Sequence, residues 1–158
     1  DAGNPAGARQ FLEPAIAAGV VRPRAYHEVA RLRFGDLRRD QTATKVFSYT
    51  ELAPVFEPLR RVLHQAPPLA EVFTLLADAW AHCELAPNLT DLAELENGAR
   101  LFHRRPTVGY PIALALSRHG QKARATAVLE ACGSAVIDEE MRARIARLRA
   151  ELAGMPQR

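Results

Sequence analysis

The stretch from Thr107 to Cys132, TVGYPIALALSRHGQKARATAVLEAC, decides the fold. Gly109, Ile112, Ala113 and Leu116 follow one another at steps of three, one and three, which places them on one face of an α-helix. His119-Gly120 supplies a turn, and Ala125, Leu129 and Cys132 resume helical spacing on the return segment. Outward from this hairpin, Phe73-Leu76-Ala77-Trp80 and Tyr26-Val29-Ala30 echo its first half. The small Ala in each echo reads as a point where two helices touch, and its large neighbours read as knobs.

The same reading predicts eight helices, near 5–18, 23–35, 50–66, 69–84, 89–104, 107–118, 121–132 and 138–153, and hence an all-α protein. Pro5 after Asn4 starts the first helix, which carries Ala8, Leu12 and Ala15 inward, with Pro14 as a kink. The second opens at Pro23, buries Tyr26, Val29, Ala30 and Phe34, and stops at Gly35-Asp36. Residues 36–49, DLRRDQTATKVFSY, are the least regular segment and read as an insertion. Ser48 or Thr50 caps a third helix bearing Leu52, Val55, Phe56, Leu59, Val62 and Leu63, bent at Pro58, and Ala66-Pro67-Pro68 ends it. The apolar helix that follows, with Val72, Phe73, Leu75, Leu76, Ala79 and Trp80, is the expected centre of the fold. Asn88 caps the fifth helix, whose stripe is Leu92, Leu95, Ala99 and Phe102, and Arg104-Arg105-Pro106 closes it. Gly133 ends the seventh, and Asp138 caps the last, whose single stripe of Met141, Ile145, Leu148 and Leu152 suits a C-terminal capping helix.

With 158 residues, 48% hydrophobic and 25% charged, the chain has the composition of one ordinary folded domain. No apolar run approaches the ~18 residues of a membrane span, so no membrane insertion is expected. The opening Asp1-Ala2-Gly3-Asn4-Pro5 lacks both Met and a signal-like pattern, and reads as the start of an excised or processed piece of a longer protein. Its compartment stays open between cytoplasm and export. Of 21 basic residues only Lys45 and Lys122 are lysine, a bias expected of a GC-rich bacterial coding sequence.

Catalytic and metal-binding patterns fail residue by residue. His27-Glu28 begins a helical zinc-peptidase motif, but Arg31 stands where the second His is required. His82, Cys83 and Glu84 are consecutive, point in different helical directions and cannot close a tetrahedral site; Cys83 reads as core and His82 as surface. There is no phosphate loop and no nucleophile elbow, so the reading is a non-catalytic protein with no cofactor and no metal. Arg22, Arg24, Arg31, Arg33, Arg38 and Arg39 form one basic cluster; from Asn97 to Leu129 there is no acidic residue, which makes a second. Neighbouring carboxylates are expected to neutralise them, and Arg-mediated binding of nucleic acid or another polyanion is kept as an alternative.

Ile112-Ala113-Leu116, Gly120, Ala125 and Leu129 resemble a tetratricopeptide repeat, and Phe73-Leu76-Ala77-Trp80 matches the first-helix half. That family repeats every ~34 residues; here the steps are 47 from Tyr26 to Phe73 and 36 from Phe73 to Gly109, so the repeats are degenerate, with insertions around 36–49 and 84–91. The resemblance implies a right-handed superhelix of antiparallel hairpins that binds a peptide or helix in a concave groove. Carried over by position, the groove candidates are Arg24, His27 and Arg31, then Glu71, Thr74, Asp78 and His82, then Tyr110, Leu114, Ser117 and Arg118. The Lys and Asn of carboxylate-clamp members are missing. Stretches such as PPLAEVFTLLADAW also resemble repeat tails of larger bacterial proteins, which leaves a structural spacer as the other alternative.

Overall fold

The computed structural model describes residues 5–19, 22–39, 45–132 and 138–154, with the side chains of 5, 6, 8 and 9 left out. Asn4, the inward placement of Ala8, the centre of the 36–49 segment and the stop at Gly133 lie outside those residues. The described part holds eight α-helices: α1 Pro5–Ala17, α2 Pro23–Arg39, α3 Tyr49–Val62, α4 Ala70–Ala81, α5 Leu89–Leu101, α6 Pro106–Arg118, α7 Lys122–Ala131 and α8 Glu139–Gly154. The protein is all-α, and the only extended pairing among the described residues is an isolated parallel bridge between Phe47 and Cys83. Each helix packs on its neighbour in the chain, and α2 also meets α4, α4 meets α6, and α6 meets α8.

The expected stripes are the buried ones. Tyr26, Val29, Ala30 and Phe34 of α2, Val72, Phe73, Leu76, Ala77 and Trp80 of α4, and Ile112, Ala113 and Leu116 of α6 are all buried. The alanines on α4 and α6 have no exposed surface, as required where two backbones approach closely. Trp80 stacks on Phe56 of α3 at 4.5 Å between centroids, and Tyr49 meets both rings, Phe56 at 5.7 Å and Trp80 at 6.1 Å, closing a three-ring cluster. α4 thereby ties together α2, α3 and α6.

Several ends differ from their expected positions, each for a local reason. α2 runs through Gly35 to Arg39; Arg39 pairs with Asp36 at 2.6 Å, Leu37 packs on the core and Arg38 lies over the Phe34 ring. Those contacts outweigh the ~1 kcal/mol helix penalty of one exposed glycine. α3 carries Pro54 and Pro58 inside it and ends at Val62, earlier than expected. Its N-terminus is a complete capping box, Ser48 Oγ accepting from Glu51 N–H and Glu51 accepting from Ser48 N–H. α4 ends at Ala81 because Phe47 N–H donates to His82 O at 2.7 Å and Glu84 N–H donates to Phe47 O at 2.8 Å, which pulls residues 82–84 out of the helix. Asn88 and Asp138 cap α5 and α8 as read from the sequence.

Two glycines sit where side chains of other helices close on the backbone. A Cβ at Gly98 of α5 would lie 2.8 Å from Cγ of the Phe73 ring, and one at Gly109 of α6 would strike Cys132 Sγ. The first obstacle is a ring held in the core, whereas the second is the tip of one side chain. Gly98→Ala is therefore expected to cost about 2–3 kcal/mol and Gly109→Ala less, from the usual cost of overpacking. Urea denaturation measures both, and Cys132→Ala should recover most of the Gly109→Ala loss while leaving Gly98→Ala unimproved.

Candidate functional site

The α2–α4–α6 packing brings the eleven groove candidates onto adjacent helices, but not into one cleft. Arg24, Arg31, Glu71 and Arg118 are exposed, and His27, Thr74, Asp78, Tyr110 and Leu114 are half-buried. His82 and Ser117 are interior residues at 7% and 8% exposure, a correction to their placement as contacts and to His82 as a surface side chain. His82 is drawn inward because it caps α4: its Nδ1 bonds Asp78 O at 2.8 Å, and its ring meets Phe34 edge-on. Thr74 bonds its own helix, donating to Ala70 O at 3.0 Å.

Contacts across helices reach three of the half-buried candidates, Asp78, His27 and Tyr110. Arg38 of α2 donates to Asp78 of α4 at 3.1 Å. Burial pushes the His27 imidazole below its ordinary range, opposed by the nearby carboxylates of Glu28 and, from α4, Glu71. The guanidinium of Arg144 on α8 lies 4.7 Å above the Tyr110 ring of α6. Arg31 is held by Glu28 through two hydrogen bonds of 2.8 and 2.6 Å, and that pairing lowers the Glu28 carboxyl from its usual range. Leu75 of α4 and Tyr110 and Leu114 of α6 are half-buried against the core, and Glu71 and Arg118 on the same helices are exposed.

Sequence reading missed the polar group beneath α3 and α5. Arg60 donates to Tyr49 Oη at 2.9 Å and to Asp91 Oδ1 at 2.7 Å, and its guanidinium lies over Phe56 and Tyr49. Asp91 is 3% exposed, so Arg60 neutralises a carboxylate that the fold has removed from water. One turn on, Glu94 has Oε2 buried without a hydrogen bond, while Oε1 sits 3.7 Å from His64 Nε2. Burial, reinforced by the Asp91 charge, pushes the Glu94 carboxyl up against the pull of Arg60 and His64. The only local signal was an acidic pair three apart on α5, a spacing that an ordinary exposed helix face shares.

The basic clusters are largely engaged inside the fold. Arg33 donates to Glu13 and to Pro54 O, Arg118 to Ala81 O, and Arg124 to Glu96, while Arg105 covers Phe102. Cys83 and Cys132 are free and buried, and burial raises both thiols, which makes them poor nucleophiles. No group of His, Cys, Asp and Glu able to hold a metal occurs among the described residues, and no described helix is long and apolar enough to cross a membrane. Comparison with family models, curated proteins and solved structures finds no match for the chain.

The raised Glu94 carboxyl has a definite linkage. Its folded form binds the proton more tightly than the unfolded form, so its contribution to stability is present below the unfolded carboxyl range and is lost as pH rises through the folded value. Glu94→Gln is expected to raise the melting temperature near neutrality and to lose that advantage in acid, as read by thermal unfolding across pH. Arg60→Ala, which strands the buried Asp91, is expected to cost about 3 kcal/mol, as read by urea denaturation at neutral pH.

Proposed function

We propose that this chain is a non-catalytic protein-interaction module, a right-handed array of stacked helix hairpins of the tetratricopeptide kind, which takes a peptide or helix along the face shared by α2, α4 and α6. The packing order carries this reading: the alternate helices α2, α4, α6 and α8 touch in succession, while the intervening helices pack beside their neighbours in the chain and meet one another through the ion pairs Arg60–Asp91 and Arg124–Glu96. Such an order places one residue per turn of each alternate helix on a common surface. Arg24, Arg31 and Glu71, with half-buried Tyr110 and Leu114, are the exposed positions along it, while Arg118 is engaged with Ala81 O. An apolar centre with charged surroundings suits a peptide, which buries a few side chains and orients itself through rim charges.

A second reading, a structural spacer, draws on α1. Its outer face exposes Phe11 at 77% together with Pro14 and Ala17, an apolar surface on a helix that packs substantially on α2 alone. The polyanion reading draws less support, because most clustered arginines already hold carboxylates or carbonyl oxygens.

Arg24→Glu with Arg31→Glu tests the interaction face. Both side chains are exposed and Arg31 makes only a surface ion pair, so folding should be unaffected. The binding constant for a peptide selected from a random display library against the native chain should weaken about tenfold or more. Unchanged affinity for every selected peptide would exclude the α2–α4–α6 face and leave the spacer reading.

A further inference from the structure

We infer that the groove between α5 and α7 is a docking site for an acidic, amphipathic helix of a partner protein. This site is separate from the α2–α4–α6 face and does not rest on it. α5 and α7 both pack against α6 and meet each other through the Arg124–Glu96 ion pair, and the space between their backbones is a groove of about 610 Å³. Its floor is Ala99 and Val128, both buried. Its α7 wall is Ala123, Ala127 and Ala131, all exposed and spaced four apart. Three methyl groups at that spacing form a shallow track about 12 Å long, two turns of helix. Apart from Arg124, whose guanidinium reaches across to Glu96, that wall presents nothing larger than methyl, so an incoming helix can approach closely enough to seat its own side chains between the alanines.

Charge selects the occupant. Arg100 on the α5 rim is exposed, and its guanidinium is met by the neutral Asn97 amide oxygen at 2.7 Å. His103 beside it bonds only the Arg100 carbonyl oxygen, at 3.2 Å. Glu96 is the one carboxylate lining the groove, and Arg124 from the opposite wall already pairs with it. The next carboxylate on α7, Glu130, lines the adjoining clefts, one with Lys122 and Arg149 and one with Arg124 and Ala127. With Glu96 answered by Arg124, the groove offers apolar walls beneath Arg100, a guanidinium with no carboxylate partner among the described residues, which complements a helix with small apolar residues on one side and Asp or Glu on its flank. No Phe, Tyr or Trp lines it, so it lacks the stacking platforms by which single-stranded nucleic acid is held.

The test is selection on the full chain from a displayed library of amphipathic helices. In that library each charged position is randomised between Glu and Lys, and each apolar position between Ala and Leu. Glu-rich helices should be enriched, and the best of them, made as a synthetic peptide, should lose about tenfold or more in affinity with Ala127→Glu and several-fold with Arg100→Glu. The Arg24→Glu/Arg31→Glu variant should bind it as the native chain does. Ala127 and Arg100 are exposed on helices, and circular dichroism should confirm that each variant folds. Absence of enrichment, enrichment of Lys-rich helices, or full affinity in Ala127→Glu would each overturn the assignment. So would loss of binding in Arg24→Glu/Arg31→Glu, which would move the peptide to the other face, or polyuridylate binding that Ala127→Glu abolishes.

Discussion

The C-terminal end of α4 is the constraint on which the remaining elements depend. Any helix leaves its last carbonyl oxygens without intrahelical donors, and burying them unpaired is costly. α4 ends in the interior, beside Trp80 and His82, so its carbonyls need donors that the rest of the chain must deliver. His82 Nδ1 bonds Asp78 O at 2.8 Å, His119 Nε2 bonds Trp80 O at 2.8 Å, and Arg118 Nη1 donates to Ala81 O at 2.6 Å. Phe47 N–H completes the set at His82 O. One helix end thus fixes the position of the α6 terminus and of the segment entering α3, and a cation at the negative pole of α4 adds a favourable dipole term.

That requirement also shapes the candidate interaction face. Because Arg118 and His82 serve the α4 terminus, the lower part of the face is structural, and its freedom to bind lies further up, at Arg24, Glu71, Tyr110 and Leu114. Asp78 is divided in the same way: its carbonyl takes the His82 bond and its carboxylate takes Arg38 of α2. Side chains facing one groove by helical position are therefore unequal. Those one turn from a buried helix end are claimed by its backbone.

What was legible in the sequence follows from this division. Periodicity reported each helix and, from α2 onward, most of its buried stripe, because apolar spacing depends only on which face meets a neighbour; Leu12 and Ala15 of α1, with Leu75, Phe102 and Met141, are only half-buried. Caps at Ser48, Asn88 and Asp138 were equally readable, since a cap is a contact between residues two or three apart. The early end of α4 and the inward turn of His82 were not, for each is decided by a residue distant in the chain, Phe47 pairing beyond Ala81 and Phe34 against the imidazole; α2 runs on through Gly35 by nearer contacts, Arg38 over Phe34 and Arg39 with Asp36, which a Gly-Asp stop signal conceals. The Arg60–Asp91 pair spans 31 positions and has no local signature at all.

The arginine excess, which composition alone assigns to coding bias, has a physical use here. Arg33 reaches Glu13 and Pro54 O together, Arg60 reaches Tyr49, Asp91 and two ring faces, and Arg149 of α8 reaches Leu129 O of α7. Each of these bridges separate helices with a planar fork; Arg33 and Arg60 meet two partners at once in a way that a lysine ammonium on its flexible stem does not reproduce. An array of helices with few large apolar side chains on its outer layer gains cross-links this way, and its structural arginines are the ones whose donors meet carbonyls or buried carboxylates. By the same criterion Arg100, answered only by an amide, and Arg24, exposed at the start of α2, are not cross-links of the fold. What a count of charges leaves open, which arginines of a cluster hold helices together and which stand at the surface, is decided one guanidinium at a time by what each already holds.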